Sequence, residues 1–354
     1  RSGSRTAMNY LSEHQVLIQD TLNRILEDLC QKQTVDAAEN GEFPSALWEA
    51  LSETGLTLTG LPEEYGGSGG DLSDALLVMK GVGKYSAPIP IAENFLSCAL
   101  CCEFGLSAPK GIATFCDESF SITPDGQLRG VSSQTAFGRW SETVVLIAEH
   151  GDETYLCSCP FEVFELNEKN NIAGEPRDML SVETKLTSDQ FVQADGVARR
   201  ARLLGAALRV AQMSGALESI LEMSVSYSME RSQFGKPISK FQAIQQQLAT
   251  MAGEVAASIR AAQSIEISKD LMIELDVAIA KARVGEAVGV CTDIAHQVHG
   301  AMGYTLEHTL NHRTRRLWAW RDEYGSEKEW QIEIGRFFSG NASGNLWDQI
   351  TLLA

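Results

Sequence analysis

The hydrophobic period changes twice along this chain, and that order restricts the fold more than any single motif. From residue 8 to about 105, apolar residues recur at helical spacing, as in Leu11, Val16, Leu17, Leu22, Ile25 and Leu29. From about 110 to 195, short extended runs alternate with turn residues. They include Ser119-Phe-Ser-Ile122, the turn Pro124-Asp-Gly126, the apolar Thr143-Val-Val-Leu-Ile-Ala148 and, after Gly151-Asp152, Thr154-Tyr-Leu-Cys157. This pattern predicts a small antiparallel sheet or barrel. After about 196 the helical period returns. Leu203 to Ser232 reads as one long helix. Phe241, Ile244, Leu248, Met251, Val255 and Ile259 mark the apolar face of a second, Val277 to His299 makes a third, and Gln331 to Leu353 a weaker last one. The expected chain is therefore mainly α with a central β-domain. Its parts are an N-terminal helical domain over 8–107, a shortened β-domain over 108–195 and a C-terminal helical bundle over 196–354.

Local signals agree. Pro44 sits at the start of a helix running through Trp48 to Leu51. Pro62-Glu-Glu-Tyr-Gly-Gly-Ser-Gly-Gly70 carries two carboxylates and no cation, which suits a turn between helices better than a phosphate cradle. Asp71 and Ser73 are candidate caps for the helix that follows.

The net charge is −18, from 29 basic and 47 acidic residues. Such a chain repels nucleic acid and anionic membranes, so an anionic ligand needs a local cationic pocket. No apolar run of about 18 residues and no signal peptide is evident, and a cytoplasmic location is expected. Met8 is the expected natural start, with Arg1 to Ala7 an appended remnant. The eight cysteines lack the paired spacing of a zinc site and read as buried, reduced thiols.

Two segments carry ligand chemistry. Arg231-Ser-Gln-Phe-Gly-Lys-Pro-Ile-Ser-Lys-Phe-Gln242 places a guanidinium and a glycine turn ahead of a long amphipathic helix. Gln297-Val-His-Gly-Ala-Met-Gly-Tyr304 places glycines at the end of another. A guanidinium offers paired donors to phosphate oxygens, and glycine lets backbone N–H groups approach a phosphate. Together with Pro62–Gly70, in this order, these segments resemble the acyl-CoA dehydrogenase family over nearly the whole chain.

The resemblance implies a fold of N-terminal α-domain, middle β-barrel and C-terminal four-helix bundle, with FAD as cofactor. It implies that Arg231 contacts the FAD pyrophosphate of a neighbouring subunit. Phe234 and Ile238 would pack near the adenine side, and Gln242 would hydrogen-bond there. Gln297 and the backbone around Gly300, Ala301 and Gly303 would hold the ADP portion. Ala301 replaces one glycine of the family's Gln-x-x-Gly-Gly-x-Gly-Tyr.

Elsewhere the chain departs from the family. The usual base is a glutamate preceding Gly-Thr; here the loop reads Asp322-Glu-Tyr-Gly-Ser326. Aligned on Gly325, Tyr324 takes the glutamate's position and Glu323 lies one residue off. The alternative base position on the first bundle helix, counted back from Arg231, falls on Gly205. The Asp-x-x-Arg that holds the CoA ester falls on Leu203 and Ala206. The segments expected at the flavin ring read Thr114-Phe-Cys-Asp-Glu-Ser119 and Phe137-Gly-Arg-Trp-Ser141, and Trp140 is expected in the core or at its rim.

The resemblance therefore points to a subunit like those of the heterotetrameric α2β2 acyl-CoA dehydrogenases of bacterial steroid side-chain degradation, which hold two FAD molecules rather than four. A homologous partner subunit would supply the ring site, the acyl-CoA site and the base. The implied reaction is α,β-desaturation of an acyl-CoA thioester, with electrons leaving to an electron-transferring flavoprotein. Two alternatives stand beside it: a self-sufficient homo-oligomer with Glu323 as base, and a non-enzymatic interaction protein on the same fold. The basic cluster Arg313-Thr-Arg-Arg316, with Trp318 and Trp320, is expected to form ion pairs at a subunit interface, and His299, His308 and His312 to be neutral, not metal ligands.

Overall fold

The protein is described by a computed structural model covering residues 11–267, 274–340 and Trp347. The expected start at Met8 and most of the last predicted helix beyond Gly340 lie outside the described residues. The N-terminal part holds five helices: α1 (Glu13–Leu29), α2 (Lys32–Glu39), α3 (Ser45–Glu53), α4 (Leu72–Tyr85) and α5 (Ile91–Phe104). Asp71 caps α4, its carboxylate accepting from the Ser73 and Asp74 backbone N–H groups.

Seven strands follow: β1 (Ala113–Ile122), β2 (Gln127–Ala136), β3 (Thr143–His150), β4 (Glu153–Pro160), β5 (Glu165–Asn167), β6 (Arg177–Lys185) and β7 (Phe191–Gln193). They form one sheet in the order β5-β6-β2-β1-β3-β4-β7, with β5 and β7 at its edges. All pairings are antiparallel except that of β1 with β3, a departure from the wholly antiparallel sheet expected. The β1–β3 ladder slips between Cys116 and Ser119, so Asp117 and Glu118 bulge out of register. Along β3, Val145 and Ile147 join the main helical core, while Val144, Leu146 and Ala148 join a separate cluster on the other face. Burial on both faces explains why this strand is an unbroken apolar run.

The C-terminal part begins with α6 (Val197–Glu230), 34 residues and roughly 50 Å long. The hairpin strands β8 (Ser232–Gln233) and β9 (Lys236–Pro237) lead to α7 (Gln242–Ile267), α8 (Glu274–His299), α9 (Leu310–Trp320) and α10 (Glu327–Gly340). Helix α6 is the axis of the molecule, buried almost continuously from Leu203 to Leu217. Helix α4 approaches it backbone to backbone: a Cβ at Gly83 would overlap the Gln212 carbonyl, and one at Gly215 the Lys80 carbonyl.

Candidate functional site

The two segments expected to hold a cofactor tail meet at one end of the bundle. Tyr227, in the last turn of α6, stacks on His299, the last residue of α8, with ring centroids 4.5 Å apart. Arg231 ends α6 with its N–H on the Tyr227 carbonyl at 2.8 Å; its side chain is exposed and forms no ion pair among the described residues. The hairpin that follows turns through Phe234 and Gly235, at φ +50° and +78°. A bulky aromatic in the left-handed region is a strained choice, and Phe234 is also 92% exposed. Gln242 opens α7 and is exposed, as are Gln297, Gly300 and Ala301. Gly300 ends α8 at φ +57°, and a side chain there would meet nothing within 4 Å, so the backbone is open to an approaching group. Gly303 is buried tightly against His299 and Leu310. Ile238 is buried against its own bundle and offers a ligand little surface. Around these residues Tyr304, Leu306 and Met229 are also largely exposed.

Near the other end of α6 lies a cleft of about 820 Å³ between the sheet, α6 and the α9–α10 loop. The distance along α6 from Gly205 to Tyr227 is roughly 33 Å at 1.5 Å per residue. Tyr324 lines the cleft, and Gly205 lies against Tyr324; these are the two positions at which the resemblance expects the base. A Cβ on Gly205 would overlap the Tyr324 ring, so that ring fills the space a side chain at 205 would need. Tyr324 is held at φ +57°, and burial pushes its hydroxyl well above the usual phenol range. No carboxylate stands at either position.

Glu323 reaches the cleft but is engaged on both oxygens. Arg177 donates to Oε1 from Nη2 at 2.6 Å and Nε at 3.1 Å, and Arg209 donates to Oε2 from Nε at 2.6 Å. Burial alone would raise the carboxyl's pKa; the two guanidiniums outweigh it and bring it down to about 2. A base so weak is poorly matched to removing a proton near neutral pH. The pairs continue in both directions. Arg209 bonds Glu93 of α5, Arg177 pairs with Glu175 at 3.2 Å, Glu175 with Arg316 at 3.2 Å, and Arg316 with Glu39 of α2 at 2.8 Å. Arg315 adds a further contact to Glu39. Four arginines and four glutamates thus alternate through all three parts of the chain.

The loop bearing Glu323 and Tyr324 is fixed from below. Lys281, fully buried on α8, donates to the carbonyls of Arg321 at 2.6 Å and Gly325 at 2.7 Å. Its burial brings its pKa down to about 8. Trp330 Nε1 donates to the Tyr324 carbonyl at 3.1 Å, and Arg202 lies 4.2 Å above the Trp330 ring. A one-residue slip that would move Glu323 into the Tyr324 position breaks these bonds together.

On the sheet side, Thr114 to Ser119 belong to strand β1 and form no separate loop. The bulge sets Asp117 at the exposed mouth of the cleft, where partial loss of water and the nearby Glu323 raise its pKa. Trp140 packs between Phe43 and Phe137, at 5.4 and 5.6 Å, as a residue joining the sheet to the N-terminal helices. Arg315 and Arg316 are ion-paired, but to Glu39 and Glu175 of the same chain; Trp320 also donates to Glu175, at 3.2 Å. Arg313 forms no ion pair among the described residues, and donates to Ser219 Oγ at 2.6 Å and to backbone carbonyls. Burial lowers the pKa of His299, His308 and His312, which favours their neutral forms. All eight cysteines are free thiols, and all but the half-buried Cys102 are buried. Sequence reasoning missed Glu93, Arg177 and Arg209. A signal existed for two of them: Glu93 and Arg209 are lone charges inside apolar helical runs, which implies a buried partner.

The family model "Acyl-CoA dehydrogenase, N-terminal domain" matches residues 12–110, and "Acyl-CoA dehydrogenase, C-terminal domain" matches residues 196–327. The chain belongs to the acyl-CoA dehydrogenase family. These are oxidoreductases whose cofactor is FAD. "Acyl-CoA dehydrogenase IpdE2" of Mycolicibacterium smegmatis is 27% identical over 311 residues, covering 85% of this chain and 91% of that one. The fold is similar to that of the ChsE4-ChsE5 complex from Mycobacterium tuberculosis, with TM-score 0.87 and 20% identity over 94% of this chain and 99% of that chain. It is also similar to a Tcur3481-Tcur3483 steroid ACAD, with TM-score 0.84 and 18% identity over 94% and 99% of the two chains. Among the described residues no helix is long and apolar enough to cross a membrane.

Proposed function

We propose that this acyl-CoA dehydrogenase chain works as one half of a hetero-oligomer, of α2β2 form, that α,β-desaturates an acyl-CoA bearing a steroid side chain. In this reading the chain holds the tail of an FAD whose ring lies in a homologous partner subunit. Arg231 meets the pyrophosphate, Phe234 and Gln242 the adenine side, and Gln297 with the backbone at Gly300 to Gly303 the ADP portion; Ile238 supports the hairpin from beneath. The partner supplies the catalytic carboxylate and the thioester site, and an electron-transferring flavoprotein receives the electrons. When bound, FAD supplies the acceptor for the β-hydride. The chain's own part is to orient the nucleotide and to shield the site from water.

The observation that carries this reading is the contact between Gly205 and Tyr324. Both alternative base positions converge on one point, and an aromatic ring fills it. Glu323, the carboxylate next to Tyr324 in the chain, is bonded by two arginines. At the bundle end, by contrast, an unpaired guanidinium and an open glycine backbone fit a pyrophosphate. Names of two similar structures supply the pairing of unlike chains and the steroid substrate class. The test is to purify the chain alone and together with its homologous partner, supply FAD and steroid side-chain CoA thioesters, and follow flavin reduction. The pair is expected to reduce its flavin and the single chain is not. Turnover by the single chain, abolished in Glu323→Gln, would favour the self-sufficient enzyme instead.

A further inference from the structure

Three rings from three elements close on one another at the bundle end. Tyr227 of α6 lies on His299 of α8, with ring planes 27° apart. His308, in the turn before α9, meets both at steep angles, its centroid 6.3 Å from Tyr227 and 4.9 Å from His299. His308 is tied to α9, its Nδ1 accepting the Leu310 N–H at 3.1 Å. Tyr227 and His308 are half-buried and His299 is fully buried.

Their places in the chain join the two ligand-bearing segments. Tyr227 precedes Arg231 by one helical turn, and its carbonyl accepts the Arg231 N–H. His299 directly precedes Gly300, whose left-handed backbone turns the chain out of α8. Gly303 closes down on the same ring: a Cβ there would come within 3.0 Å of the His299 Cβ and 3.3 Å of His296 Nδ1. The Tyr227–His299 stack is thus where the helix end carrying Arg231 meets the helix end carrying Gly300.

This arrangement suits one protonation form of His299. Its Nδ1 donates to the Ala295 carbonyl at 2.8 Å, and its Nε2 is buried with no hydrogen-bond partner among the described residues. A second proton would leave a buried donor without an acceptor and a charge removed from water. The groups around the ring do not compensate. Burial lowers its pKa most; the Ala295 bond raises it, and His308 and His296 lower it further. Asp293 favours charge on His296, and Arg313 of α9 disfavours it on His308. From α6 the ring faces Tyr227, and among the described residues no carboxylate pairs with it.

We propose that Tyr227 and His299 are positioning residues: their stack, with His299 neutral, holds the Arg231 guanidinium and the Gly300 turn in register so that both grip one nucleotide tail. The assignment rests on the tail-holding role proposed above, and neither ring needs to touch the cofactor. The neutral form is the competent one, so the grip is complete above the ordinary histidine value and lost as pH falls below it.

Retention of FAD by the assembled heteromeric enzyme, followed by flavin released on dialysis, tests it. Tyr227→Leu should weaken retention about three- to tenfold, the worth of an aromatic pair, and Tyr227→Phe should keep it. In an Arg231→Ala background Tyr227→Leu should add less than about twofold, because no register is left to hold. Retention by the parent should be level above about pH 7 and fall as pH drops below about 6.5. His299→Phe keeps a ring and removes the titrating nitrogens, so it should retain FAD near neutral pH and lose the acid fall. Full retention in Tyr227→Leu, equal losses with and without Arg231, or an undiminished acid fall in His299→Phe would each overturn the proposal. Unchanged retention in Arg231→Ala alone would instead remove the tail-holding role, and this positioning with it.

Discussion

The two ends of α6 treat positive charge in opposite ways. At the C-terminal end Arg231 is exposed and forms no ion pair among the described residues, three residues from the exposed, strained Phe234 and at the same end of the bundle as the open Gly300 backbone. Toward the N-terminal end Arg209 is buried and bonded to Glu93, Glu323 and Gln212, and Arg177 is bonded to Glu323 and Glu175. Both regions present arginine, yet of these arginines only Arg231 has charge left over for a ligand among the described residues. The arginines around Glu323 are answered by carboxylates and serve cohesion. A guanidinium marks a binding site when its counter-charge is missing, and a structural joint when it is present.

The largest effect that could break this contrast lies at Glu323. Replacing it with Gln leaves two buried guanidiniums short of an anion, and should destabilise the chain by about 3–5 kcal/mol in denaturant unfolding. Turnover of the assembled enzyme should stay unchanged under conditions where it remains folded. The folded-state pKa of about 2 lies below the ordinary glutamate value, so the contribution is complete above about pH 4.5 and lost as pH falls towards 2. The stability gap between parent and Glu323→Gln should therefore close over that acid range. A gap that widens there would mean the carboxylate is not held by the arginines.

At the opposite end, Arg231→Ala should weaken FAD retention by the assembled enzyme by about 1.5–3 kcal/mol, the worth of charged hydrogen bonds, with little change in the chain's own unfolding. An equal loss of fold stability would make Arg231 structural and erase the difference between the two ends. Smaller again, Gly205→Ala should cost about 1–3 kcal/mol because the new methyl displaces the Tyr324 ring. In a Tyr324→Gly background most of that penalty should vanish, and a double-mutant cycle on unfolding free energies reads the coupling.

The fold was largely legible because its signals are local. Helical period locates α6 within a few residues: Leu203 to Ser232 expected, Val197 to Glu230 observed. Asp71 is recognisable as a cap from its neighbours alone. The parallel β1–β3 pairing and the bulge at Asp117 are not local properties and left no mark in the strand pattern. The same holds for the ion network. Arg209 and Glu323 are separated by 114 residues, and Arg177 and Glu323 by 146, so no spacing rule joins them. That neither expected base position carries a carboxylate, by contrast, was readable at Gly205 and Tyr324 separately. That the two are neighbours, with the ring of one filling the place of the other's side chain, needed the three-dimensional arrangement.

The central claim is that this chain binds a cofactor tail for its neighbour and builds no complete site of its own. Flavin stoichiometry tests it most directly. FAD released from the purified heteromeric complex should number one per pair of unlike chains, and the chain expressed by itself should carry far less than one per polypeptide. One FAD bound per chain in the isolated protein, retained through gel filtration, would contradict it.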